Sequence, residues 1–130
     1  MGAPVKETRA MIAGMAPVLD PVIYHFCTGP AGLLPDAIAS FREEEGLSLI
    51  LSDAVALAHG LRSDMPMQRI TLTVHSALDG VGLTAAVAAA LAQVGIACNM
   101  VAGLHHDHAF VPADDAARAV EALLALASDT

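Results

Sequence analysis

The feature that most constrains this chain is a succession of residue periods between residues 69 and 127. Ile70, Leu72 and Val74 alternate with Thr71, Thr73 and His75, the two-residue period of a strand with one buried face. A small-residue turn, Ser76 to Gly82, follows. Leu83, Val87, Leu91 and Val94 then recur at helical spacing until Gly95 stops them. Ile96 to Ala102 is an apolar run of strand length, residues 104 to 107 read as a turn, and His108 to Val111 as a returning strand. Pro112 and Asp114 open a final helix on which Val120, Leu123, Leu124 and Ala127 share a face. Strand, helix, strand, strand, helix predicts an α+β fold, a ferredoxin-like βαββαβ unit lacking its last strand. The vacant position would leave an open sheet edge, to be filled by the strand at 22 to 27 or by a partner chain.

The first 68 residues repeat that order imperfectly. Residues 1 to 20 read as a leader with a short helix around Glu7 to Met15, ended by Pro17 and Pro21. Val22 to Cys27 is a β-rich run, and Pro30 to Asp36 reads as a loop punctuated by Pro and Gly. Ile38 to Glu43 and Leu47 to Leu51 form a hairpin about Glu44-Glu45-Gly46. Ser52-Asp53 caps a helix over residues 54 to 59, which Gly60 ends. This half is a degenerate copy of the second, its first helix reduced to a loop. Three segments are expected: a leader (1–20), an N-terminal half (21–68) and a C-terminal unit (69–130).

Composition excludes several functions. Fourteen Asp and Glu against six Lys and Arg leave a formal charge of −8, without a basic cluster, so nucleic acid is not an expected partner. Three Phe, one Tyr and no Trp offer few stacking platforms for single-stranded nucleic acid. Cys27 and Cys98 stand far apart in apolar runs, outside any CxxC pair, and suit a reducing, cytoplasmic setting. The uncharged stretch Gly80 to Leu104 is long enough to span a bilayer. Its alanine content, Gly95 and Asn99, and the lack of flanking Lys or Arg favour instead a helix followed by a buried strand. Met1-Gly2 lacks the Ser or Thr that acylation requires, because Lys6 stands there.

Several short runs occur in a telling order: Phe41-Arg42-Glu43-Glu44-Glu45-Gly46-Leu47, Ile70 to Ser76, Val81-Gly82-Leu83-Thr84, Gly95 to Asn99, and His105-His106-Asp107-His108-Ala109-Phe110-Val111-Pro112. Together they resemble a bacterial family of uncharacterised ACT-domain proteins, over residues 17 to 127. More distantly, the chain is similar to the paired ACT modules that regulate aspartate kinase and to those of a cellular arginine sensor. The resemblance implies two ACT-like halves, an antiparallel sheet covered by helices, and allosteric binding of a small metabolite, usually an amino acid, at an interface between ACT units. It also implies a homo-oligomer, most simply a dimer, with no cofactor and no catalytic activity. The contacts it implies fall on Ser76, Ala77, Leu78, Asp79, Gly80, Val81, Gly82 and Leu83, and on Asn99, Met100 and Val101.

The chemistry of those residues admits two readings. Gly80 and Gly82 allow a ligand close to the backbone, and free N–H groups at a helix start suit a carboxylate. Asp79 can accept an α-ammonium and Asn99 either end of an amino acid. The plainer alternative makes the glycines a tight turn, Asp79 a helix cap and Asn99 a partner for a buried backbone group. His105, His106 and His108 are candidate metal ligands, which with Asp107 suit zinc or nickel. Adjacent turn residues diverge, however, and His25 or His75 would have to complete the set. Tyr24, His25 and Cys27 lie along one strand and cannot form a nucleophile–base pair, and no nucleophile elbow or phosphate-binding loop occurs. Two further functions stay open: a scaffold pairing through its sheet edge with an enzyme, and a metal-binding protein.

Overall fold

The computed structural model describes residues 3–130, so the Met1-Gly2 reading and the start of the leader lie outside the described residues. Among these residues the order is α1 (Thr8–Ala13), β1 (Pro17–Thr28), a 3-10 turn (Ala31–Asp36), β2 (Ala39–Glu43), β3 (Gly46–Ser52), α2 (Asp53–Ala58), β4 (Met67–Leu72), α3 (Leu83–Gln93), β5 (Asn99–Ala102), β6 (Asp107–Pro112), a second 3-10 turn (Ala113–Asp115) and α4 (Ala116–Ser128).

The strands form one antiparallel six-stranded sheet in the order β2-β3-β1-β4-β6-β5. Its two central strands are each used twice. Taken as β1, β2, β3, β4, the first unit has the spatial order 2-3-1-4; taken as β4, β5, β6, β1, the second has the same order. The vacant position of the C-terminal unit is therefore filled within the chain, by β1 lying antiparallel to β4. Sharing β1 and β4 fuses two ferredoxin-like units into one sheet.

Side-chain alternation sends Ile70, Leu72, Ala109 and Val111 to one face, where α1, α3 and α4 cover them with Met11, Val87, Leu91 and Leu123. Leu49 and Leu51 continue that face in the first unit, beneath Leu33 and Ala56. Burying a Leu or Val in this layer contributes about 1.5–3 kcal/mol each. The opposite face carries Tyr24, Ile50, Met67 and Phe110 and, among the described residues, no helix. Ala39 of β2 and Val101 of β5, from opposite edges, both pack on that cluster, so the sheet curls until its edges approach across the bare face.

Several boundaries differ from expectation. β1 starts at Pro17 rather than Val22, because neither proline interrupts a ladder hydrogen bond that the strand needs. Pro17 is the first strand residue, and Pro21 sits where the β1–β4 register shifts between Leu19 and Ile23. The expected loop at 30 to 36 is a 3-10 turn that buries Leu33. β4 runs three residues earlier than expected and stops at Leu72, since the Thr73 N–H turns to the Met15 carbonyl at 2.6 Å. β5 is confined to Asn99–Ala102; Ile96 instead closes the end of α3, its N–H bonding Leu91 O beyond Gly95 at φ +74°.

Candidate functional site

The turn from β4 to α3 is held open by the leader. Val5 forms a parallel bridge with Ser76: its N–H donates to His75 O at 2.7 Å, and Ala77 N–H donates to Val5 O at 2.8 Å. Thr8 Oγ1 donates to Val81 O at 2.5 Å. Gly82 adopts φ +108° as the N-cap of α3 and supplies no side chain to its first turn. The α3 N-terminus is therefore uncapped, and no acidic residue occupies that turn.

These amides open on a cavity of about 150 Å³ beside Ser76, Gly82, Leu83, Thr84, Gly103 and Asp107. Met11 closes it from the leader side. Ser76, itself buried, donates through Oγ to Asp107 Oδ2 at 3.4 Å. The lining thus combines the uncapped first turn of α3 with a carboxylate. That combination complements a zwitterion, whose anion meets the amides and whose cation meets Asp107.

The implied residues divide. Ser76, Ala77, Leu78, Gly80, Gly82 and Leu83 line the cavity. Asp79 instead pairs with Lys6 Nζ at 2.8 Å on the surface, where that hydrogen bond and charge hold its carboxyl below the usual range. It does not cap α3, whose N-cap is Gly82. Val81 is exposed, with its carbonyl taken by Thr8. Asn99 lies apart, exposed, beside Phe26 and Met67. Val101 packs on the bare face and Met100 against the helical core. The sequence pattern places Asp107 in a turn beside the candidate metal-ligating histidines, whereas it is the first residue of β6. Its signal lay in strand parity: Asp107, Ala109 and Val111 alternate with His108 and Phe110, which puts Asp107 on the helix side.

Parity also splits the histidine run. His75, His105 and His106 gather with ring centroids 5.3–6.4 Å apart, while His108 faces the bare side and meets Thr71 Oγ1 through Nδ1 at 2.9 Å. Among the described residues, no three His, Cys, Asp or Glu side chains converge on a metal position.

A second polar group sits on buried His25. Its Nε2 lies 2.7 Å from Asp53 Oδ1, and its Nδ1 lies 3.2 Å from Ser63 Oγ. The arrangement has the outline of a hydrolytic triad but not its chemistry. Ser63's own N–H already donates to Nδ1 at 3.1 Å, and its hydroxyl donates to Met65 O at 3.2 Å. Nδ1 thus has no free lone pair to take the serine proton. Arg62 grips the same Asp53 at 2.9 and 2.7 Å, so the group ties β1 to the start of α2. Burial pushes both the Cys27 and Cys98 thiols up, away from the thiolate a nucleophile needs.

Models of the ACT domain match residues 3–68 and 68–125, nearly the whole chain. The chain belongs to the ACT-domain family. A Vibrio cholerae protein of unknown function, described as a possible transport protein, is 46% identical, with a TM-score of 0.79 over 87% of this ACT-domain chain and 89% of that one. An Agrobacterium tumefaciens protein superposes at TM-score 0.65 with 18% identity, covering 82% of this chain and 83% of its own. The aspartate kinase regulatory subunit of Thermus thermophilus superposes at 0.58 with 11% identity, over 88% of this chain and 98% of that subunit; at such identity the likeness is one of fold. No curated protein matches the chain. The two ACT units are those that share β1 and β4. In the first, the segment after β1 is the 3-10 turn that buries Leu33; in the second, the corresponding turn borders the cavity.

Proposed function

We propose that this ACT-domain protein is a regulatory module, without catalytic activity, that takes an amino acid at the start of α3. The observation that carries the reading is the cavity of about 150 Å³ lined both by the uncapped start of α3 and by Asp107. Membership supports it, because ACT domains typically bind amino acids in regulatory roles. The division into an N-terminal ACT-like half ending at residue 68 and a C-terminal ACT domain from 69 is supported by the two family matches. Ser76, Gly80, Gly82 and Leu83 then flank the ligand, the helix amides hold its carboxylate and Asp107 its ammonium. Asn99 and Val101 stand outside this site.

Exposed Leu78, Val81 and Leu104 surround the same turns, which supports a homodimer contact near the cavity mouth. Cytoplasmic residence is the companion expectation, supported by two unpaired cysteines.

Thermal denaturation against the panel of natural amino acids tests the reading. A binding amino acid at a hundredfold its dissociation constant adds about 2.7 kcal/mol, a rise of several degrees. A tenfold loss of affinity in Asp107→Asn should cut the rise at the same ligand concentration to about half. A flat panel, or a rise undiminished in Asp107→Asn, contradicts the proposal.

A further inference from the structure

The helix-free face of the sheet carries a second and different hollow. Curling brings β2 and β5 together over it and leaves a cavity of about 290 Å³ walled by Phe26, Ala39, Phe41, Ile50 and Val101. An adjoining cavity of about 220 Å³ shares Ala39 and Val101 and is floored by Arg69, His108 and Phe110. Phe41 is 74% exposed and Phe26 38%, so large apolar rings stand at the mouth.

The floor is polar and incompletely satisfied. Arg69 spends Nη2 on Asp20 Oδ2 at 3.0 Å and lies over the Tyr24 ring at 5.6 Å. Its Nε is buried with no hydrogen-bond partner. A buried guanidinium N–H left unpaired costs free energy. His108 holds Thr71 through Nδ1. Its Nε2 faces Gly103, another wall of this hollow, where an added Cβ would lie 3.7 Å from it. No carboxylate lines the cavity at Arg69. Asp20 approaches Arg69 from the β1 bulge, and Glu43, at the rim of the larger cavity, is bonded to Ser48.

We propose that this concave face is a second ligand site, separate from the α3 cavity, which takes a small carboxylate bearing an apolar tail. The carboxylate meets the charge of the Arg69 guanidinium and accepts from His108 Nε2, and the tail lies along Phe110, Ile50 and Phe26 beneath Phe41. A carboxylate supplies two acceptors where an alcohol supplies one, and an amine would set a second cation against Arg69.

The chain carries its own reporter. Tyr24 is the sole tyrosine and there is no tryptophan; its ring meets Phe110 edge-on at 6.0 Å and touches Arg69. Tyrosine emission is followed while sodium octanoate, octanol or octylamine is titrated into the full chain. The site predicts a saturable change with octanoate and binding weaker by about tenfold or more for the other two. Arg69→Gln should lose the octanoate response. Phe41→Glu, at an exposed position where folding is not at risk, should block it by placing a negative charge at the mouth. No saturable change, equal responses to octanoate and octylamine, or an unaltered response in Phe41→Glu each overturns the proposal. So does a change in emission with protein concentration alone that Phe41→Glu abolishes, which assigns the face to a second copy of the chain.

Discussion

Thr8 stands directly over Gly82: a Cβ built on Gly82 would come 2.6 Å from Thr8 Cγ2, while Thr8 Oγ1 bonds the neighbouring Val81 carbonyl. The contact joins the leader to the start of α3 across most of the chain and fixes the turn that forms the candidate site.

Gly82→Ala should therefore destabilise the protein twice over. The left-handed φ of +108° is costly for any residue with a Cβ, and the methyl would strike Thr8. A loss of about 1–3 kcal/mol in urea unfolding is expected. Thr8→Ala in the same background should recover the steric part and leave the torsional part. Full recovery would mean that the backbone conformation carries no cost.

Asp79 and Asp107 point to different surroundings. Asp79 points outward to Lys6, whereas Asp107 enters the cavity beside Ser76. Calorimetric titration should show amino-acid binding nearly unchanged in Asp79→Asn and weakened by about tenfold or more in Asp107→Asn, the loss of a charge-assisted hydrogen bond. The reverse ranking would return the ammonium site to Asp79.

Neighbours on α4 should differ sharply. Leu123 is fully buried in the layer beneath α3 and α4, and Leu124 is 50% exposed. Leu123→Ala should cost about 2–5 kcal/mol, and Leu124→Ala no more than about 0.5 kcal/mol unless that face is covered by a second copy. Denaturant midpoints at two protein concentrations separate the cases.

His108 makes stability depend on pH. Burial first, then the charges of Arg69 and His106, push its imidazole below the ordinary value of 6.5, against a smaller opposite pull from Asp107. The unfolded chain then takes up this proton more readily than the folded one, so stability falls as pH drops through 6.5 and levels off below the folded value. His108→Gln should flatten this part of a urea-midpoint curve between about pH 7 and 5. An identical slope in wild type and variant would contradict the assignment.

What the sequence discloses about this fold is what local periodicity carries. The alternation around Ile70 and the helical spacing of Leu83, Val87 and Leu91 name β4 and α3 because each pattern lies within one element. β1 escaped at its start because Pro17 and Pro21 read as breakers, although a first strand position and a bulge both tolerate a missing N–H. The Val5–Ser76 bridge and the Thr8–Gly82 contact are beyond local reading, since nothing near either segment names its partner. Within the site, the glycine turn was legible and Asp107 was hidden among histidines, where turn chemistry masked the strand parity.

The account rests on an amino acid lying between the α3 amides and Asp107, and backbone amide NMR during titration with that ligand reads this most directly. The account predicts saturable shifts at Gly80, Gly82, Leu83, Thr84 and Gly103, with Phe41 and Asn99 unmoved. Shifts centred on Asn99 and Val101 with the α3 start silent, or no shifts with any amino acid, would contradict it.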